Sequence, residues 1–461
     1  MQTIVQKFGG TSVGSAERIQ DVARIIQDTL KNHHVVAVVS AMSGTVKSEG
    51  TTSQLILASQ QALRGDPFGG PLKVIRKTHT QALDRAVSSK AIRQDLADAV
   101  GDELKSLEAL LGAVSVIREL SPRSMDMLLA TGERLSARIL SGVLADGGLD
   151  TVYMDLSTIV PQEETEADPA FFRRMQHLVA EYCRPVGGKV PVVTGFFGPV
   201  PGGILKTVGR GYTDFTTALI SAGLGKGVVK EMQVWKEVDG IYTADPRKVA
   251  SARVLGRISP DEAAELTYFG SEVLHPFTME RVVSAEIPIR LKNTFKPDGE
   301  GTLILPHREN TGSRVTAVTT KKGITIVTVH SNRMYNAYGF LARVFNVLET
   351  HGVVVDLVST SEVSISFSVE HAQGLDKVAK ALEPLGQTRV NHGRAILSIV
   401  GEGMKYAVGT AGMMFTCLAE AGINIEMISQ GASEINISTV LKEEDIPKGL
   451  NAVHRRFVEE S

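Results

Sequence analysis

The sequence is poor in the features that cross-link a chain, anchor it in a membrane or draw it to polyanions. Its 461 residues include two cysteines, Cys183 and Cys417, far apart and without CxxC spacing. That excludes a disulfide framework and a thiolate metal site. It fits a reducing, cytosolic setting in which each cysteine is a small buried hydrophobe. No apolar run reaches the ~18 residues that a membrane span requires. The first residues lead straight into a strand with no signal or transit segment visible, so the expected location is cytoplasmic. Neither sign of charge dominates: a formal net charge of −2 gives no reason to expect nucleic acid or an anionic membrane as partner. HExxH, the GxxxxGKS/T phosphate loop and GxSxG are missing, which removes zincin, P-loop and α/β-hydrolase chemistry.

What is present is the composition of a globular protein, 43% hydrophobic and 22% charged, long enough for two or three domains. Residues 1 to about 305 alternate β-branched strands with helical segments, the pattern of an α/β domain with a mostly parallel central sheet and helices on both faces. The first strand ends in Lys7-Phe8-Gly9-Gly10-Thr11-Ser12, and a helix-patterned stretch follows from Ala16. Strand, glycine turn and helix bring backbone N–H groups towards an anion, and Lys7 adds a point charge. A tight turn with an exposed lysine is the plainer reading. The buried strand 35–39 runs into a polar tip, Ser40 to Gly44, where ligands bind in open α/β folds.

Residues 47–120 read as helical cover. The helix that follows carries an internal Gly132-Glu133 pair. A glycine there costs ~1 kcal/mol relative to alanine, so something is expected to approach that turn. Glu133 can accept a bond from a substrate amine; spacing alone favours a surface partner for Arg134 or Arg138. Gly209-Arg210-Gly211-Tyr212-Thr213-Asp214 opens another helix. The pattern GxGxxD lacks the third glycine of a dinucleotide site, yet two glycines around an arginine suit an anionic ligand. Residues 233–247 crowd Lys236, Glu237, Asp239, Tyr242, Asp245 and Arg247 after a strand, a density suited to a nucleotide and its metal. Ordinary turn chemistry accounts for each of them singly.

From Pro306 to Gly312 the chain is linker-like. Beyond it a strand–helix–strand–strand–helix–strand pattern runs twice, over 324–392 and 395–458, and the 352–362 stretch mirrors 422–431. Each copy is a ferredoxin-like unit. The second lacks a fourth strand, and 313–320 is spare. The expectation is that 313–320 completes the second unit, so the repeats interleave. The domain boundaries expected are 1–305, a linker plus completing strand at 306–322, a first unit at 323–393 and a second at 394–461.

Assembled, these motifs resemble the aspartate kinases of the amino acid kinase family. The residues that carry the resemblance are Lys-Phe-Gly-Gly-Thr-Ser-Val at 7–13, Gly-Glu-Arg-Leu-Ser at 132–136 and Gly-Arg-Gly-x-x-Asp at 209–214. Val-Asp-Gly-Ile-Tyr-Thr-Ala-Asp-Pro-Arg at 238–247, Val-Leu-His-Pro at 273–276 and paired C-terminal ACT units complete the set. The variants at 209–214, 235–240 and 270–276 look most like the fungal-type, threonine-sensitive branch. The resemblance implies transfer of the ATP γ-phosphoryl group to the side-chain carboxylate of L-aspartate. That is the entry step to lysine, threonine, methionine and isoleucine. It implies Lys7 and Asp214 as catalytic residues, Gly9, Gly10 and Ser12 at the phosphate, and Ser40, Glu133 and Arg210 at the substrate. Lys236, Glu237, Tyr242 and Arg247 fall at the nucleotide, with Mg²⁺ on the ATP oxygens and no dedicated protein metal site. Glu272 stands where many bacterial relatives carry a phosphate-contacting lysine, and it is assigned no role.

The ACT repeats imply a feedback effector, threonine first and lysine second, near Met334, Gly339, Phe340, Leu341, Val355, Asp356, Ser361 and Glu362. They also imply a homodimer or larger assembly. Two other readings stand beside this one. One is a different carboxylate or carbamate kinase of the same family; the other is a catalytically dead amino-acid sensor.

Overall fold

The computed structural model describes residues 1–460 except Thr45, Val186, 269–273, His275, 307–313, 335–337, 371–373 and 433–434. Glu272, Val273 and His275 of the Val-Leu-His-Pro motif, and nearly all of the 306–312 linker therefore lie outside the described residues. The chain forms two compact units. The first comprises Met1–Ile241, Gly256–Pro260 and Leu274–His307; the second comprises Tyr242–Leu255, Asp261–Val273 and Arg308–Ser461.

In the first unit the chain runs β1 (Thr3–Phe8), α1 (Ala16–Leu30), β2 (His34–Val39), α2 (Thr51–Arg64), α3 (Gly69–Ala86), α4 (Lys90–Ile117) and α5 (Pro122–Asp146). It continues through β3 (Thr151–Met154), α6 (Pro169–Tyr182), β4 (Val190–Thr194), α7 (Ile204–Thr207), α8 (Tyr212–Leu224), β5 (Val229–Lys236) and β6 (Arg257–Ile258). α9 (Pro260–Tyr268) falls, but for its first residue, in the second unit; the first unit resumes with α10 (Pro276–Ser284), β7 (Ile289–Asn293) and β8 (Thr302–Ile304). The strands form one sheet in the order β3-β4-β2-β1-β5-β7-β8-β6. Every pair is parallel except β7 with β8.

The order places β1 at the centre. All six of its residues are buried, as a two-sided parallel sheet requires. α8 packs on β1, while α1 packs beside β2 and buries the stripe Ile19, Val22, Ala23, Ile25 and Ile26; the Ser15 side chain caps α1 by accepting from the Arg18 amide at 3.3 Å. α8 is buried almost all round, so its first turn, with Thr213 and Asp214, sits in the interior. The C-terminal ends of the central strands, the start of α8 and the middle of α5 meet, and there the site lies.

The second unit holds β9 (Ala317–His330), α11 (Phe340–Thr350), β10 (Val358–Thr360), β11 (Ser364–Val369), α12 (Leu375–Leu382) and β12 (Gln387–Val400). It ends with α13 (Thr410–Glu420), β13 (Met427–Ser429), β14 (Asn436–Lys442) and α14 (Ile446–His454). Its six strands form a fully antiparallel sheet in the order β10-β11-β9-β12-β14-β13.

Residues Ala317–Lys321 run beside Ile396–Val400, while Ile326–His330 run beside Gln387–Asn391. Val315 and Val318 enter the core of the second repeat with Met414, Leu418 and Leu450. The repeats therefore interleave. Where separate strands are expected at 313–320 and 324–330, and again at 388–392 and 395–400, single 14-residue strands occur. Gly323 (φ +72°) and Gly393 (φ +70°) absorb a register shift between the two and let each strand serve both repeats. The strands expected over 353–359 and 423–429 shrink to three residues each. Val353 and Val355 still pack on the core of the first repeat, but outside the ladder.

Candidate active site

The Lys7–Ser12 turn leaves β1 with both glycines in ordinary backbone territory: Gly9 has φ −70°, and Gly10 is not among the left-handed residues. Their purpose is close approach. A Cβ on Gly10 would lie 2.5 Å from the carbonyl oxygen of Ala41. The turn and the Ser40–Gly44 tip thereby lock together, with the Ser43 amide donating to Gly10 O at 2.9 Å and the Ser40 amide to Phe8 O at 3.1 Å. The Gly9 amide donates to Trp235 O at 3.4 Å. A short 3-10 turn over Gly10–Val13 comes before α1, so the turn does not lead directly into the long helix. The Ser12 hydroxyl shares a 2.8 Å hydrogen bond with Thr294, just past β7.

Lys7 is buried and points at Asp214. Its Nζ lies 2.8 Å from Oδ1, and Lys236 Nζ lies 3.7 Å from Oδ2. Two ammonium groups from adjacent strands, β1 and β5, thus share one carboxylate from the first turn of α8. The Lys7 and Asp214 side chains are each only 9% exposed, so this is a desolvated pair whose geometry is tightly held. Ser40 Oγ donates to Thr213 Oγ1 at 3.0 Å, and Ser40 O accepts from Ser136 Oγ at 2.7 Å. Ser40 so ties the β2 tip to both α8 and α5.

Glu133 departs from the surface role that spacing favours. It is 1% exposed, and its would-be partners Arg134 and Arg138 pair with Glu103 instead. The close approach expected at Gly132 is provided by Ala41 and Thr51, which occupy the space a Cβ there would need. Glu133 Oε1 accepts a 2.7 Å hydrogen bond from the Tyr212 hydroxyl; Oε2 has no hydrogen-bond partner among the described residues. Burial pushes its carboxyl up to about 7, against the opposing pull of the Tyr212 hydroxyl and the Ala41 amide. Glu133 lines a cavity of about 240 Å³ with Ser40, Ser43, Lys47, Arg210 and Tyr212. Arg210 projects from the turn between Gly209, which takes φ +89°, and Gly211, the residue before α8.

Asp126, one helical stretch before Glu133 on α5, accepts from the amides of Val200 at 2.9 Å and Ile204 at 3.0 Å. It thereby fixes the loop that delivers Gly209–Gly211. Burial raises its carboxyl to about 6 against the pull of those amides. Sequence reasoning passed over Asp126, Tyr212, Thr213 and Lys47. Tyr212 and Thr213 occupy the unspecified positions of GxGxxD, and nothing in linear spacing marks them.

Lys236 ends β5 in the first unit, and the exposed Glu237 follows it. Tyr242 and Arg247 belong to the second unit. There Arg247 is exposed and forks onto Asp245 with two 3.0 Å hydrogen bonds, which hold the Asp245 carboxyl down at about 2. Among the expected effector residues, Phe340 is in the core of the first repeat, with Met334 and Val355 packed against it. Gly339 (φ +74°) precedes α11, Leu341 is exposed, and Ser361 bonds Ser364 in the turn before β11. The Glu362 side chain is exposed. Asp356 is paired with Lys321 at 2.8 Å, and Lys321 also reaches Glu370 at 3.2 Å.

The amino acid kinase family profile matches residues 2–293, and an ACT domain profile matches 327–384 and 397–457. The aspartokinase of Schizosaccharomyces pombe is 44% identical over 487 aligned positions, covering 99% of this chain and 93% of that protein. The chain belongs to the aspartokinases of the amino acid kinase family. The Saccharomyces cerevisiae aspartokinase is 42% identical over the same share of each chain. The crystal structure of E. coli aspartokinase III in complex with aspartate and ADP superposes with a TM-score of 0.78 at 27% identity, covering 98% of this chain and 99% of that one. The form with lysine and aspartate gives 0.81, also at 27% identity, over 99% of this chain and 100% of that one.

As an aspartokinase, the chain is an ATP-dependent kinase that phosphorylates the side-chain carboxylate of aspartate, and its ACT pair is a regulatory module. No described helix is long and apolar enough to cross a membrane.

Proposed function

We propose that aspartate lies in the 240 Å³ cavity with its α-ammonium on Glu133 and a carboxylate on Arg210, and that its side chain is aimed past Ser40 towards Lys7. The observation that carries this reading is the buried Glu133 carboxylate with Oε2 unengaged, in the same small cavity as a guanidinium. One carboxylate oxygen of aspartate attacks the γ-phosphorus, the bond to the β-bridging oxygen breaks, and ADP leaves. No general base is required, because the attacking carboxylate is already ionised at pH 7. The work is alignment and charge neutralisation. Lys7 meets the transferring phosphoryl group, and the Gly9–Ser12 turn cradles it. Asp214 holds Lys7 and Lys236 in place rather than moving a proton.

Among the described residues no three His, Cys, Asp or Glu side chains converge on a common point. Mg²⁺ arriving with ATP would be held chiefly by phosphate oxygens, as that ion commonly is, and would supply charge neutralisation.

The effector is read as threonine, with lysine second, bound near Gly339–Leu341 and Ser361–Glu362. The 4-phospho-L-aspartate formed would feed lysine, threonine, methionine and isoleucine synthesis. Tyr338, Leu341, Phe345, Val354 and Val358 are exposed on the first repeat, with β10 at the sheet edge. An apolar surface beside an open edge suits a second copy of the chain, hence a homodimer or larger assembly. Activity measured with threonine, lysine and methionine in turn tests the effector. Threonine is expected to inhibit; inhibition by lysine alone overturns that choice, and indifference to all three overturns feedback through this module.

A further inference from the structure

Tyr212 is a bulky residue at a position where the surrounding motif specifies none. It opens α8, is 4% exposed, and stands edge-on to Phe196 with ring centroids 5.7 Å apart. Its main-chain carbonyl accepts from Thr216 Oγ1 at 2.8 Å, so the residue is fixed at both ends. The hydroxyl meets Glu133 Oε1 at 2.7 Å, and the Thr52 side chain from α2 approaches the same hydroxyl. Beside the Ala41 amide, the Tyr212 hydroxyl is the group that fixes how the buried Glu133 carboxylate is turned about its last torsion.

We propose that Tyr212 is the positioning residue of the substrate-amine subsite. By holding Oε1 of Glu133 it presents Oε2, the oxygen without a hydrogen-bond partner, to the α-ammonium of aspartate. A hydroxyl suits this role. It donates to one carboxylate oxygen, brings no charge to compete with the ammonium, and closes that end of a cavity that holds little more than one small amino acid. The inference rests on the reading of Glu133 as the amine acceptor.

It has a second consequence. The Tyr212 hydroxyl favours the ionised form of Glu133, so without it Glu133 takes up its proton at higher pH. The other charged groups in the neighbourhood are Arg210 and Lys47, which line the cavity, and Asp126, which faces Tyr212.

The test is steady-state kinetics of Tyr212→Phe with aspartate and ATP varied separately from pH 6 to 9. Inhibition by succinate, which is aspartate without its amine, is measured in parallel. The loss of one charge-assisted hydrogen bond predicts a KM for aspartate raised about ten-fold. The KM for ATP and the inhibition by succinate should each change less than about two-fold, and the pH below which aspartate binding weakens should move upward. An unchanged KM for aspartate overturns the proposal. So does an equal loss of aspartate and succinate binding, which would mean that Tyr212 only shapes the cavity. Glu133→Gln separates the two levels. If it weakens aspartate while Tyr212→Phe does not, the Tyr212 role alone fails; if neither variant weakens aspartate, the Glu133 reading fails as well.

Discussion

Glu133 shows how function and stability oppose each other at a single residue. Its folded carboxyl is raised from 4.5 to about 7 by burial. The folded state therefore binds more protons than the unfolded one between those values, and stability falls as pH rises through that window. The ionised residue costs on the order of 3 kcal/mol at pH 8, an upper figure for a fully buried group. Glu133→Gln should melt higher than the parent at pH 8 and lose that advantage at pH 5, measured by differential scanning calorimetry. A lower melting temperature at both values would contradict the assignment. In the parent, protonation of Glu133 removes the attraction for an ammonium, so the KM for aspartate should climb as pH drops through about 7. A flat profile from pH 8 to 6 would contradict it.

At the scale of elements, glycines do two different jobs. In the Lys7–Ser12 turn a Cβ at Gly10 would strike a main-chain oxygen. Gly10→Ala should push the turn off the Ser40–Gly44 tip and lower turnover while leaving the ACT pair folded. In β9 and β12 the glycines are needed for backbone hand, since Gly323 and Gly393 have open space around them. Gly393→Ala should cost about 1 kcal/mol in urea denaturation, because an L-residue resists the left-handed region even where its methyl has room. No loss would mean that the bulge is not strained.

The same elements show what was readable. Alternating strands and helices gave away the parallel sheet, and the orphan strand near 313–320 gave away the interleaving. The continuity of β9 and β12 was hidden because a glycine inside a β pattern signals a break and a bulge equally well. In the site, lysine, glycine, arginine and aspartate were marked by motif spacing. Tyr212 and Asp126 act through buried hydrogen bonds to groups more than seventy positions away, which no local pattern encodes.

At the scale of the whole molecule, the division into units cuts through the 238–247 motif. Tyr242–Leu255 belongs with the ACT pair, not with the kinase sheet. Ala244 and Val249 enter the core of the second repeat. Thr243 Oγ1 meets the buried His454 Nε2 at 3.0 Å, and Thr243 O accepts from the Val318 amide at 2.8 Å. A stretch expected to touch the nucleotide thus belongs to the unit that holds the ACT repeats. His454→Ala removes the buried partner of Thr243 and should lower the stability of the second unit by about 1 kcal/mol, read by urea denaturation. Unchanged stability would mean that the Thr243–His454 bond does not anchor the segment.

The most direct test of the account is aspartyl hydroxamate formation from L-aspartate, ATP and Mg²⁺ by the full chain and by Lys7→Ala, with threonine binding followed by calorimetry on both. The parent should form product. Lys7→Ala should lose at least about a thousand-fold in turnover, as loss of a transition-state charge contact does, and should bind threonine as before. Product formed at comparable rates by both proteins would contradict a phosphoryl clamp built on Lys7 and Asp214.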